Sequence, residues 1–189
     1  MNAEYKLTLQ PRTMTNSEPR VKDLLNNTKQ KMGFVPNMYA AMANSSILLD
    51  SYSHGYQLLR DESKFNPVEQ EVIFLAISRA NGCDYCMSAH SFVADNMSKV
   101  PIEVTDAIRN DTTIPNVKLA ALTLFTRVMF NTRGLPTNDD VNVFLAAGYT
   151  EHHILEIILA ISVKTISNYA NHLFHTKLDG VFEARQWVN

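Results

Sequence analysis

Apolar residues recur at intervals of three and four along most of the chain, and strict alternation is nearly absent. The pattern predicts helices from about residue 18 onward. Residues 1–17 are polar, carry Pro11, Asn16 and Ser17, and read as an extended arm. The first helix spans Glu18 to Met32 and stops at Gly33; Pro36 and Asn37 open the next piece. Ile47 to Arg60 places Leu48, Leu49, Tyr52, Tyr56 and Leu59 at helical spacing. Asn66-Pro67-Val68-Glu69 is a strong start signal, with a capping Asn, Pro at the first helical position and an acid at the third. The helix it opens runs to about Ala80, where Asn81-Gly82 breaks it. A new helix begins at Cys83 and is expected to reach about Met97. Further helices follow from Pro101 to Asn110 and from Asn116 to Asn131. Thr137 caps one running through Ala147, and Thr150 caps a long final one.

The fold class expected is therefore all-α. No linker or low-complexity segment divides the chain, so 18–189 reads as one helical domain behind the arm at 1–17. A weak internal echo is present: Leu75-Ala76-Ile77-Ser78 repeats as Leu159-Ala160-Ile161-Ser162, an offset of 84 positions. The same offset sets Asn66 on Thr150, Tyr85 on Tyr169, Cys83 on Ser167 and Cys86 on Ala170. The second copy would be a version of the first without thiols; a chance match of four common residues is the alternative.

Charge narrows the partners. Seventeen basic side chains face 19 acidic ones, without a basic run, which argues against nucleic acid. No apolar run has the roughly 18 residues that cross a bilayer. Met1 to Lys6 lacks a basic start followed by an apolar block, so no secretory signal is expected and the cytoplasm is the default compartment.

The only two cysteines are Cys83 and Cys86. A bridge between them closes almost no loop and adds little stability, so the pair points to chemistry. A helix start favours a thiolate, the reactive form of the side chain. His90 lies four residues beyond Cys86, on the same helix face, where its imidazole can take the thiol proton. Glu71, on the preceding helix, can orient that imidazole; Glu69 competes for the role but is occupied by its capping position. Two other readings stay open. The cysteines can be small buried hydrophobes, or they can bind zinc with His90 as a third ligand, His172 and His175 being remoter candidates. Tyr52, Tyr56 and Phe74 are expected in the core, Met87 and Phe92 in the core or at an apolar entrance, and His152-His153 at the surface. A thioredoxin-type setting does not fit, because a helix precedes the dithiol. Haem attachment does not fit either, because Met87 follows Cys86.

Glu71, Cys83-Asp84-Tyr85-Cys86 and His90 together resemble the alkylhydroperoxidase D (AhpD)-like branch of the carboxymuconolactone decarboxylase family. Gly33-Phe34-Val35-Pro36-Asn37 and Gly148-Tyr149-Thr150 resemble its peroxidase-related members, and the likeness covers roughly residues 30–178. The resemblance implies a helical fold of two related halves, a homotrimer or hexamer, and a cofactor-free thiol peroxidase. In it Cys86 is the peroxidatic thiol and Cys83 the resolving one, while His90 and Glu71 relay protons. Re-reduction by a dithiol, such as a lipoyl group on a carrier protein, is also implied. The chain departs from the pattern at Tyr85, which stands where a relay histidine is usual. A phenol is a poor base near neutral pH but can donate a hydrogen bond. Other activities to weigh are a redox-sensing or zinc-binding oligomeric module and a lactone decarboxylase.

Overall fold

Helix α4 (Pro67–Ala80) is the axis of the molecule: every side chain from Glu69 to Ser78 is buried. A helix buried all round needs neighbours on every side. They are α7 (Val117–Asn131), α9 (Glu151–Phe174), α5 (Asp84–Val93) and α6 (Ile102–Asn110). The computed structural model describes residues 2–189, and among them there is no strand. Around the axis lie α1 (Pro19–Met32), α2 (Asn37–Met42), α3 (Ser46–Glu62) and α8 (Asn138–Ala146).

Local chemistry sets the boundaries. Asn66 accepts from Glu69 N–H at 3.0 Å, and the Glu69 carboxylate accepts from Asn66 N–H at 3.1 Å, completing a capping box at α4. Glu69 also pairs with Lys118 at 2.9 Å. The chain then turns at Gly82, whose positive φ of 62° suits a residue without Cβ. Cys83 follows in extended geometry as the N-cap of α5. The helix expected to reach Met97 stays α-helical only to Val93 and continues as a wider π turn, Ala94–Ser98. This irregularity leaves no mark on a pattern of apolar spacing.

Helix α9 runs unbroken for 24 residues where its sequence counterpart, α4 followed by α5, is interrupted at Gly82. It crosses α3 very closely at Gly55, where an added Cβ would lie 2.9 Å from Val163 Cγ2. The arm runs beside α2 and the end of α9: Ala3 N–H donates to His172 O, Leu7 N–H to Leu173 O and Arg12 N–H to Ala40 O.

A short 3-10 helix, Gly180–Arg185, was not foreshadowed by the apolar pattern. It begins the C-terminal segment that packs on α5 and α6. Phe182 sits among Phe34, Tyr85 and Phe92, with ring centroids 5.7 to 6.3 Å apart. Asp179 accepts from the Asn37 backbone N–H at 3.1 Å. Arg185 bridges Asp95 and Asp106. The Gly33-to-Asn37 segment thus seats this tail. The Gly148-Tyr149-Thr150 segment stacks Tyr149 on Phe144 at 4.6 Å and turns into α9.

Candidate active site

Four of the residues singled out from sequence converge where α4, α5 and α9 meet. Cys83 and Cys86 are free thiols, both buried. Cys86, in the first turn of α5, receives a hydrogen bond from Asn171 Nδ2 at 3.2 Å and lies 4.0 Å from Ser167 Oγ. Asn171 Nδ2 also lies 4.0 Å from Cys83 Sγ. His90 is one turn below Cys86. Its Nδ1 meets Glu71 Oε2 at 2.8 Å, and Glu71 Oε1 pairs with Arg60 of α3. A carboxylate opposite Nδ1 fixes the proton there, so Nε2 is the acceptor nitrogen.

The electrostatics separate the two thiols. Burial pushes the Cys83 thiol well up, and its contact with Cys86 pushes it further. Burial acts on Cys86 in the same direction, but it is outweighed. The hydrogen bond from Cys83, the Lys164 charge, the neighbouring His90 and the Asn171 amide hold Cys86 well below an ordinary thiol. Burial and Lys164 lower His90 against the pull of Glu71, so the imidazole is neutral at neutral pH. Burial would raise Glu71, but His90 and Arg60 reverse this and keep the carboxylate ionised.

An aromatic wall closes one side. Tyr39, Tyr52, Tyr56, Phe74 and His90 succeed one another with centroids 5.0 to 5.8 Å apart. Burial raises all three phenols, so they are neutral. Tyr39 and Tyr56 also line a cavity of about 390 Å³ between α1 and α3, with Leu24, Ser53 and His54 at its sides. The expected core residues Tyr52, Tyr56 and Phe74 are buried or half-buried members of this aromatic row, which ends on His90.

Tyr85, the remaining candidate, is placed otherwise. Its hydroxyl donates to Asp179 Oδ2 and its ring packs on Phe182. Met87 is fully buried, and Phe92 packs on Phe182. His175 bonds Ala3 O at 2.7 Å, and His152 pairs with Glu156 at the surface. His153 is half-buried and caps α9, accepting from Thr150 N–H. Among the described residues, no three His, Cys, Asp or Glu side chains are grouped to hold a metal ion.

Residues 51–126, which hold Glu71, the dithiol and His90, match the model of the carboxymuconolactone decarboxylase family. The match covers this central stretch of the chain. The chain's fold is AhpD-like. It is similar to the alkylhydroperoxidase AhpD core of a peroxidase-related protein from Ralstonia eutropha JMP134, with a TM-score of 0.81 and 19% identity over 92% of this chain and 93% of that one. A peroxidase-related protein from Silicibacter sp. TM1040 gives 0.80 and 18% over 97% of both chains. A variant of the debrominase Bmp8, in complex with 2,3,4-tribromopyrrole, gives 0.76 and 17% over 95% of this chain and 96% of that one. No curated protein sequence matches the chain. Among the described residues, no single helix is long and apolar enough to cross a membrane.

Four contributors were missed from sequence: Arg60, Lys164, Ser167 and Asn171. A signal for three of them existed. Ile157, Ala160, Lys164, Ser167 and Asn171 form one stripe of α9, and every member is buried. An apolar stripe that turns polar without reaching the surface marks a polar interior. Arg60, at the end of α3, has no comparable mark.

Proposed function

We propose that the chain is a thiol peroxidase that reduces hydrogen peroxide or organic hydroperoxides through Cys86 and Cys83. One observation carries the reading: Cys86 is a buried sulfur favoured as a thiolate, beside a neutral His90 oriented by Glu71. The Cys86 thiolate attacks one peroxide oxygen, the O–O bond breaks, and the alkoxide or hydroxide takes a proton and leaves as alcohol or water. Cys86 is then a sulfenic acid. Cys83 attacks its sulfur, water leaves, and a disulfide forms. Two electrons pass from the thiols to the peroxide. A dithiol, such as a lipoyl group on a carrier protein, returns them. His90 Nε2 takes up a proton and delivers it to the departing oxygen, a role worth about 10²- to 10⁴-fold in rate. Tyr85 anchors the C-terminal segment in this scheme. A homotrimer or hexamer and a cytoplasmic setting belong to the same proposal.

A lactone decarboxylase has no need of a buried dithiol, which favours redox chemistry. A second redox reading has support in the likeness to a debrominase and in the aromatic wall beside the sulfurs. Replacing a ring bromine by hydrogen also consumes two electrons from a dithiol and releases bromide and a proton.

The test is thiol counting on reduced protein with one equivalent of cumene hydroperoxide. Two thiols should fall to none. Cys86→Ser should abolish peroxide loss, and Cys83→Ser should leave a sulfenic acid that dimedone traps. Full turnover by Cys86→Ser refutes the reading. Bromide release from a brominated pyrrole, with no peroxide consumed, selects the second one.

A further inference from the structure

Lys164 is fully buried in α9, and its Nζ has no hydrogen-bond partner among the described residues. It lies over the Phe74 ring, with the centroid 5.8 Å away. An unpaired ammonium in such a place is expensive unless an opposite charge lies close by.

The ionisable groups around it can be counted. On α3, Arg60 is a cation and Tyr52 and Tyr56 are neutral phenols. On α2, Tyr39 is neutral as well. Glu71 of α4 is the anion that Arg60 already holds. On α5, His90 and Cys83 are neutral, and Asp84 lies farther out, at the helix start. His172 directly follows Asn171 on α9 itself. The buried face of α7 contributes no ionisable side chain. Arg60 and Glu71 cancel, which leaves Lys164 and Cys86. Ser167 and Asn171, on the same stripe of α9 as Lys164, touch the Cys86 sulfur, so the stripe is aimed at it.

We propose that Lys164 is the counter-ion that holds Cys86 as a thiolate. It is a positioning residue: it acts on the charge of the sulfur. The Lys164 charge opposes desolvation at Cys86 and also disfavours protonation of His90. Disulfide formation removes the negative charge and strands the ammonium. The reduced state is thereby favoured, which makes the pair more oxidising. The inference rests on Cys86 being the reactive thiol but needs no peroxide.

The experiment uses Cys83→Ser protein, in which Cys86 is the only thiol and the serine hydroxyl keeps a donor beside it. Iodoacetamide alkylation is followed against pH. With Lys164 present the midpoint should lie below the ordinary thiol value of 9.0. Lys164→Met should raise it and slow alkylation near neutral pH at least about tenfold, one pKa unit being a tenfold change in thiolate. Lys164→Arg should restore most of the loss. In the two-cysteine protein, equilibration with glutathione should show Lys164→Met shifting the dithiol–disulfide balance at least about tenfold toward disulfide. An unchanged midpoint in folded Lys164→Met overturns the assignment. So does a midpoint at or above 9.0 with Lys164 in place, a result independent of whether the variant folds. A protein that shows these shifts and ignores peroxide keeps the counter-ion and loses the peroxidase reading.

Discussion

Glu71 joins two helices to the reactive one: its Oε2 meets His90 Nδ1 at 2.8 Å, and its Oε1 meets Arg60. Glu71→Gln should therefore do two things. Arg60 keeps its bonds to Gln70 and Tyr56 but is left as a mostly buried cation without an opposite charge, at a cost of about 3 kcal/mol. The new amide can also present N–H to Nδ1, moving the imidazole proton to Nε2 and removing the base. Urea unfolding should show the first effect. A roughly hundredfold slower single-turnover peroxide loss should show the second. Wild-type values for both would exclude Glu71 as the group that orients His90.

His90 also makes stability depend on pH. Its pKa in the folded protein lies below the unfolded value of 6.5, because burial and Lys164 disfavour the imidazolium. Between the two values the unfolded chain binds a proton that the folded one refuses. Stability should thus fall as pH drops through 6.5. Glu71 adds a separate loss at lower pH: its depressed pKa stabilises the fold above 4.5, and that contribution disappears on acidification below it. Urea midpoints at about pH 7.5 and about pH 5.5 should differ less in His90→Gln than in the wild type. Equal slopes in the two proteins would remove His90 as the source.

The α3–α9 crossing is sensitive to one carbon atom. Gly55→Ala sets a methyl group 2.9 Å from Val163 Cγ2, beside Lys164. The overpacking should cost about 1–3 kcal/mol. Val163→Ala in the same chain should return part of it, giving a favourable coupling in a double-mutant cycle. Additive losses in urea unfolding would mean that the two side chains do not meet.

Trp187 is the only tryptophan and reports on the tail. Its indole N–H donates to Arg109 O at 3.1 Å, its backbone N–H to Ser88 Oγ at 2.9 Å, and its ring lies against Arg79. Tyr85→Phe removes the hydroxyl that holds Asp179. Stability should fall by about 1 kcal/mol or less, and limited proteolysis after Leu178 should quicken. Trp187 emission should shift to the red, while Cys86 alkylation in the Cys83→Ser background stays unchanged. A changed alkylation profile would bring Tyr85 back into the thiol chemistry.

Local signals made much of this legible in the sequence. Asn66, Pro67 and Glu69 act together within four residues, so α4 could be read directly. The same capping role separated Glu69 from Glu71. Gly82 and the N-cap at Cys83 are equally local, as is the Cys86–His90 spacing. The hidden part depends on helices that meet far apart in sequence. Lys164 stands out within α9, yet its proximity to Cys86 follows from how α9 crosses α5. Tyr85 and Asp179 are 94 residues apart, and only the folded tail brings them together.

The interrupted and uninterrupted helices give the site a mechanical asymmetry. Lys164, Ser167 and Asn171 ride on one unbroken helix of 24 residues. The sulfurs ride on ten residues of α5, flanked by the Gly82 turn and the Ala94–Ser98 π turn, with Cys83 itself in extended backbone. The compliance needed to draw two sulfurs into bonding distance thus lies on the α5 side. Stiffening that side, for example with a non-glycine residue at Gly82, would resist closure of the disulfide while leaving the α9 wall in register.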